Sequence, residues 1–175
     1  MADDVPKKKE AERLALAVAA AGRWCPPDVR TVDAGALVAM LKDDVILVDA
    51  RTAKERNVSR MAQSLSIVEF EEKYKGDRIE RPVVVYCTIG ARSGKYARSI
   101  SGRCRAYNST GIVPFSFAEE ANAGPLALVD ADGRPATKIH VFARPWDLAS
   151  ERFEAVMFGP LEAFLVTFFP SWYYY

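Results

Sequence analysis

The sequence predicts an α/β fold: one domain built on a parallel sheet of about five strands with helices on both faces. Two apolar runs and the alternation of strand-like and helix-like segments carry that prediction. The runs are 45–50 (VILVDA) and 83–86 (VVVY). Unbroken runs of β-branched residues suit strands buried on both faces, as in parallel sheets. A chain of 175 residues is about one domain long.

The elements follow in order. Residues 1–23 read as a charged, then alanine-rich, helix that Pro26-Pro27 stops. Residues 29–32 are a short strand. Asp33 is the expected N-cap of a helix through Lys42, with Leu37, Val38 and Leu41 on its apolar face. The strand 45–50 ends at a charged segment, 51–60. Residues 64–68 read as a third short strand and 69–75 as a helix. Pro82 opens the second apolar run, which ends at Cys87. A loop, 88–92, leads into a helix at about 93–102, closed by Gly102. Residues 104–107 are a further strand. From about residue 118 the pattern becomes turn-rich, with short elements at 138–142 and 148–156. Residues 155–175 carry a single charged side chain, Glu162, and end in WYYY. Three units are expected: an N-terminal helical extension (1–28), the α/β domain (29–128) and a C-terminal extension with an aromatic tail (129–175).

Composition excludes several function classes. Lys plus Arg is 24 and Asp plus Glu is 23, so no global basic field favours nucleic acid. One histidine, His140, excludes a multi-histidine metal site, and no metal is expected. Three cysteines are not a secreted disulfide framework, which favours a reducing, cytoplasmic setting. Neither apolar stretch, 14–21 or 163–169, approaches the ~20 residues that span a bilayer. The four acids Asp3, Asp4, Glu10 and Glu12 disfavour a secretory signal or a mitochondrial presequence. Gly159-Pro160 and Pro170 interrupt the tail, and the tail has no Lys or Arg. Packing on the domain or a homodimer contact is therefore expected of it before a membrane anchor.

The segment VVVYCTIGARSGKYA (83–97) carries the chemistry. In an open parallel sheet, ligands sit at the carboxyl ends of the strands. A cysteine there faces a helix N-terminus, whose free N–H groups favour anions and a thiolate nucleophile. Gly90 lets the backbone curl so that several amides point inward. Arg92 adds a cation suited to oxyanions. Between Arg81 and Ala118 there are six basic residues and no acidic one, so a locally basic field is expected around Cys87. No P-loop, dinucleotide-binding glycine signature or Cys-x-x-Cys pair is present, and no cofactor is expected.

The loop CTIGARS (87–93) resembles the active-site loop of the rhodanese (sulfurtransferase) family. VDARTAKER (48–56) is similar to that family's Asp-x-Arg…Glu segment. SRMAQSLSI (59–67) stands where the family has a His-Ile-Pro-Gly-Ala-like segment, but without the Pro-Gly. Residues 105–126 resemble its closing segment, with one Gly at 111 and Phe115 where tryptophan is common. The resemblance covers about residues 30–128 and implies a single rhodanese-like domain. It also implies an activity: Cys87 takes a sulfane sulfur from a small anionic donor such as thiosulfate and passes it, as a persulfide, to a thiophilic acceptor. Cys87 is then the catalytic residue, and Thr88, Ile89, Gly90, Ala91, Arg92 and Ser93 bind substrate. Arg92 is expected to hold the donor oxyanion and Ser93 to cap the helix. Related phosphatases and arsenate reductases have an arginine six positions after the cysteine. Here Arg92 is five after and position 93 is serine, so that signature fails.

Asp49 and Arg51 read as a structural ion pair, with Glu55 a further candidate member. Cys104 reads as a core thiol, His140 as packing among aromatics, and Cys25 has no assigned role. A second function class stays open at this point: a non-enzymatic rhodanese-like module that binds a partner or senses redox state.

Overall fold

The two apolar runs lie side by side at the centre of a sheet in the computed structural model, which describes residues 4–118, 121, 124 and 127–168. β2 (Ile46–Asp49) and β5 (Ile79–Tyr86) pair in parallel, Val48 opposite Val85 and Asp49 opposite Tyr86. The β2 residues and 83–86 are all buried. Burying each such aliphatic side chain contributes roughly 1.5–3 kcal/mol. β1 (Thr31–Val32), β6 (Cys104–Ser109) and β4 (Leu65–Ser66) complete a five-stranded sheet, order β1-β6-β5-β2-β4, parallel throughout. The expected α/β architecture is what the chain adopts.

Both faces of this sheet are covered. On one, Val84 and Tyr86 pack with Leu37 of α2 (Ala34–Met40) and with Ile112, Val113 and Phe115 of α6 (Ile112–Phe115). On the other, Val83, Val85 and Cys87 pack with Phe70 of α4 (Ile67–Tyr74) and Ala97 and Ile100 of α5 (Ala91–Ile100). The period-2 alternation of strand side chains divides the two sets. Pro82 stands within a register irregularity of β5 between Ile79 and Val83, where a residue without an N–H is tolerated.

Asp33 caps α2 as expected, accepting from Ala36 N at 2.8 Å. The charged segment 51–60 holds a helix the periodicity did not show, α3 (Ala53–Val58), opened by a Thr52/Glu55 capping box. Two small pairings lie beside the sheet: β3 (Arg60–Met61) with β7 (Leu128–Val129), and β8 (Lys138–His140) with β9 (Glu154–Val156). The N-terminal helix α1 (Asp4–Trp24) is tied to segment 147–151. Arg13 donates to the carbonyls of Asp147 and Ala149, and Glu10 accepts from Glu151 N at 2.7 Å. Trp24 meets Trp146 edge to face. α7 (Pro160–Phe168) begins at a proline, suited to a first helical position. The WYYY tail lies outside the described residues. Among the described residues, no helix is long and apolar enough to cross a membrane.

Candidate active site

The strand order places one crevice. The connection after β2 runs to β4 on one side of the sheet; the connection after β5 runs to β6 on the other. The chain therefore diverges between the carboxyl ends of β2 and β5, the switch point where open α/β sheets bind ligands. Asp49, Arg51 and Glu55 follow β2 there, and Cys87 and its loop follow β5.

Cys87 sits at this switch point, 1% exposed. Its Sγ accepts from Gly90 N at 3.2 Å. Gly90 has φ +90° and is the N-cap of α5, so the loop turns in a left-handed conformation that favours glycine. The neighbouring loop residues are buried or enter the helix: Thr88 and Ile89 are buried, and Ala91 begins α5. Gly111 seals the other side. A Cβ there would stand 2.4 Å from the Thr88 carbonyl oxygen, and Ile112 N and Val113 N donate to the carbonyls of Cys87 and Thr88.

Ser93 does not cap α5, contrary to the sequence expectation. The helix begins two residues earlier than expected, at Ala91, so Ser93 occupies its first turn and turns inward. Its Oγ lies 2.7 Å from Asn108 Oδ1 and 3.3 Å from Cys87 Sγ. One hydroxyl carries one proton. Ser93 can accept from the Cys87 thiol while donating to Asn108, or donate to the thiolate. Asn108, on the neighbouring strand, also donates to Gly90 O at 3.0 Å and so braces the loop.

Arg92 is engaged within the protein. Its guanidinium makes two hydrogen bonds to Glu55, at 2.8 and 2.6 Å, and one to Thr88 Oγ1 at 3.0 Å. It stacks on the Phe142 ring, 5.0 Å from the centroid, and its side chain is 19% exposed. Glu55 also accepts from Thr52 N and Oγ1 and from Thr88. Burial opposes its ionisation, but the Arg92 charge and hydrogen bonds outweigh that and hold its carboxyl at about 2. The expected Asp49–Arg51 pair forms, and Glu55, the further candidate, pairs with Arg92 instead. Asp49 and Arg51 pair with each other at 2.7 Å, fully buried, while Glu55 turns to the loop.

The expected basic field around Cys87 is also corrected. Arg81, Arg92, Arg98 and Arg103 pair with Asp44, Glu55, Asp28 and Glu71, acids brought from elsewhere in the chain.

The sequence reading missed Cys25. It ends the N-terminal extension, yet its Sγ lies 3.9 Å from Ile89 O, against the loop. Gly90 and Gly94 make room for this segment: a Cβ at Gly90 would meet Cys25 Sγ at 2.3 Å, and one at Gly94 would meet Pro26 Cδ at 2.2 Å. The spacing of two glycines by four residues at a helix start was a readable signal for close approach of another segment. Glu55 was named in the sequence, and the Thr-x-x-Glu capping box was a further signal of its place at the start of a helix. Cys104 lies at the far end of α5, its Sγ donating to Ile100 O. His140 is buried against Phe158, with Nδ1 accepting from Phe142 N; burial depresses its pKa to about 4. Among the described residues no cluster could hold a metal ion, and the surface hollow of about 240 Å³ beside Leu41 and Arg81 does not reach Cys87.

No family model and no curated protein matches the chain. Among solved structures it is similar to BH2092 protein from Bacillus halodurans, with 21% identity and a TM-score of 0.41 over 50% of this chain and 71% of that one. It is also similar to a thiosulfate sulfurtransferase from Pseudomonas aeruginosa, with 17% identity and a TM-score of 0.45. That match covers 71% of this chain and 24% of the other, so this chain corresponds to about a quarter of that protein. Likenesses this distant do not carry a function.

Proposed function

We propose that the protein is a sulfurtransferase with a rhodanese-like core at 29–128, working through a persulfide on Cys87. The observation that carries this reading is the placement of Cys87 Sγ. It takes the Gly90 amide at 3.2 Å, adjoins the Ser93 hydroxyl at 3.3 Å, and faces the first turn of α5 at the switch point of the sheet. These N–H and O–H donors are placed to receive an anionic sulfur, the form in which a cysteine is nucleophilic.

The Cys87 thiolate attacks the sulfane sulfur of a donor such as thiosulfate. The donor's S–S bond breaks, sulfite leaves with the electron pair, and the persulfide remains on Cys87. A thiophilic acceptor, cyanide in the simplest assay, attacks the outer sulfur and restores the thiolate, giving ping-pong kinetics. Arg92 faces the donor oxyanion from the partly exposed rim, and Glu55 fixes the orientation of its guanidinium. Thr88, Ile89 and Ala91 shape the loop around the transferred sulfur.

The burial of Cys87, 1% exposed, favours a second reading: a redox-sensing or partner-binding module whose thiol reacts only when the loop opens. Intact mass after incubation with thiosulfate, on the parent protein and Cys87→Ser, separates the two. Sulfur transfer adds one sulfur to the parent alone, and cyanide removes it as thiocyanate. No added sulfur, with Cys87 still open to alkylation, favours the second reading. No added sulfur and an inert Cys87 rejects both and makes the loop structural.

A further inference from the structure

Two cysteine sulfurs flank one glycine. Cys87 Sγ accepts the Gly90 N–H at 3.2 Å, and Cys25 Sγ fills the space where a Gly90 Cβ would stand, 2.3 Å from that point. The two approach the loop from opposite sides. Cys87 lies on the side to which the loop amide points. Cys25 lies on the side of the Ile89 carbonyl, its Sγ 3.9 Å from that oxygen. Both regions share Asn108, which holds Gly90 O and Ser93 and stands 3.3 Å from the same Gly90 Cβ position. This contact is built from several parts. Gly94 admits Pro26, Gly90 admits Cys25, and α1 is anchored beyond them by Arg13 and Glu10. Burial raises the Cys25 pKa first, and the nearby Cys87 raises it further.

We propose that Cys25 is the resolving thiol of this site, attacking Cys87 Sγ of the persulfide, expelling hydrosulfide and closing a Cys25–Cys87 disulfide. The inference rests on the sulfur-transfer reading of Cys87. The step balances without an outside oxidant. The Cys25 thiolate forms the new S–S bond to Cys87 Sγ, and the bond to the outer sulfur breaks with its electron pair. The two cysteines are oxidised, and the sulfane sulfur is reduced to sulfide. The Ile89–Gly90 peptide stands between the two sulfurs, its N–H on Cys87 and its carbonyl toward Cys25, so closing the bond requires that peptide to swing aside. Gly90 carries no side chain to oppose that rotation, and glycine is permissive of the backbone change. A dithiol reductant then reopens the disulfide and returns the thiolate. The protein thereby reduces sulfane sulfur to sulfide as well as transferring it.

The experiment loads the parent, Cys25→Ser and Cys25→Ala with thiosulfate, removes excess donor, and follows intact mass, sulfide release and a non-reducing peptide map. In the parent, the persulfide decays as sulfide appears, and the map joins Cys25 to Cys87. In both variants the Cys87 persulfide lasts about tenfold longer, because the intramolecular thiol is gone. Equal persulfide lifetimes in parent and variants, a sulfur found on Cys25, or a Cys87–Cys104 link each overturn the resolving role and leave sulfur transfer standing. No sulfur on any of the three proteins overturns both. The parent's own peptide map decides the outcome even if the variants fold poorly.

Discussion

Asp49–Arg51 and Glu55–Arg92 are both arginine–carboxylate pairs at the carboxyl end of the sheet, yet they differ in span, exposure and neighbours. Asp49 and Arg51 are two residues apart, and both side chains are fully buried. Arg51 also donates to Ser59 O at 2.7 Å and lies over the Tyr86 ring. Burial opposes its charge, and Asp49 more than restores it, so the Arg51 pKa is raised. This pair ties the end of β2 to the start of β3 and touches no part of the Cys87 loop. Glu55 and Arg92 are 37 residues apart and join α3 to the loop itself. Arg92 keeps 19% of its side chain exposed. The same chemistry thus serves a closed tertiary brace in one place and the rim of a reactive loop in the other. Exposure and span, more than ion-pair geometry, separate the two.

Breaking the brace should have the largest effect. Arg51→Met leaves Asp49 as a buried charge without its main partner and is expected to cost about 3–5 kcal/mol. Urea unfolding measures it. A loss below that expected of a surface pair would erase the contrast. Acid should act next, and through the rim. Glu55 has a depressed folded pKa, about 2 against an ordinary 4.5, so its contribution is present above 4.5 and is lost as pH falls toward 2. His140 has a folded pKa of about 4 against 6.5, so the unfolded chain takes up its proton first, and stability falls between pH 6.5 and 4. Each shift corresponds to about 3 kcal/mol. Stability measured against pH should decline in both windows, and His140→Phe should flatten the upper one alone.

Arg92→Ala should cost less stability than Arg51→Met, about 2 kcal/mol, because solvent reaches the site and Thr52 and Thr88 still hold Glu55. It should raise the donor KM more than it lowers acceptor turnover; an unchanged donor KM removes Arg92 from donor binding. The smallest effect is expected from Arg92→Lys. It keeps the charge, loses the two-pronged contact to Glu55, and should cost about 1 kcal/mol in thermal melts.

How far the site was legible follows from the range of each interaction. The strand 83–86, the cysteine at its end and the glycine turn are adjacent in sequence, and each is recognisable by residue type. Ser93 was visible, but its role was not, because a shift of two residues in the helix start turns its side chain from the cap to the sulfur. Glu55 was visible as a candidate partner of the Asp49–Arg51 pair, but its turn toward the Cys87 loop was not, because Arg92 lies 37 residues away. Cys25 was legible only through the glycines that admit it.

The sequence by itself determined the buried strands β2 and β5, the left-handed turn at Gly90 and the placing of Cys87 at a helix start. Those depend on local periodicity and on backbone sterics within a few residues. The tertiary structure alone decided which charges remain near the sulfur and which second thiol lies beside it. A run of six basic residues without an acid looked like a field, yet four of the six are paired by acids from distant segments. Coulomb interaction depends on distance in space, and separation along the chain does not report it. The Cys25–Gly90 contact has the same origin: tertiary packing brings together groups that the chain itself keeps 65 residues apart.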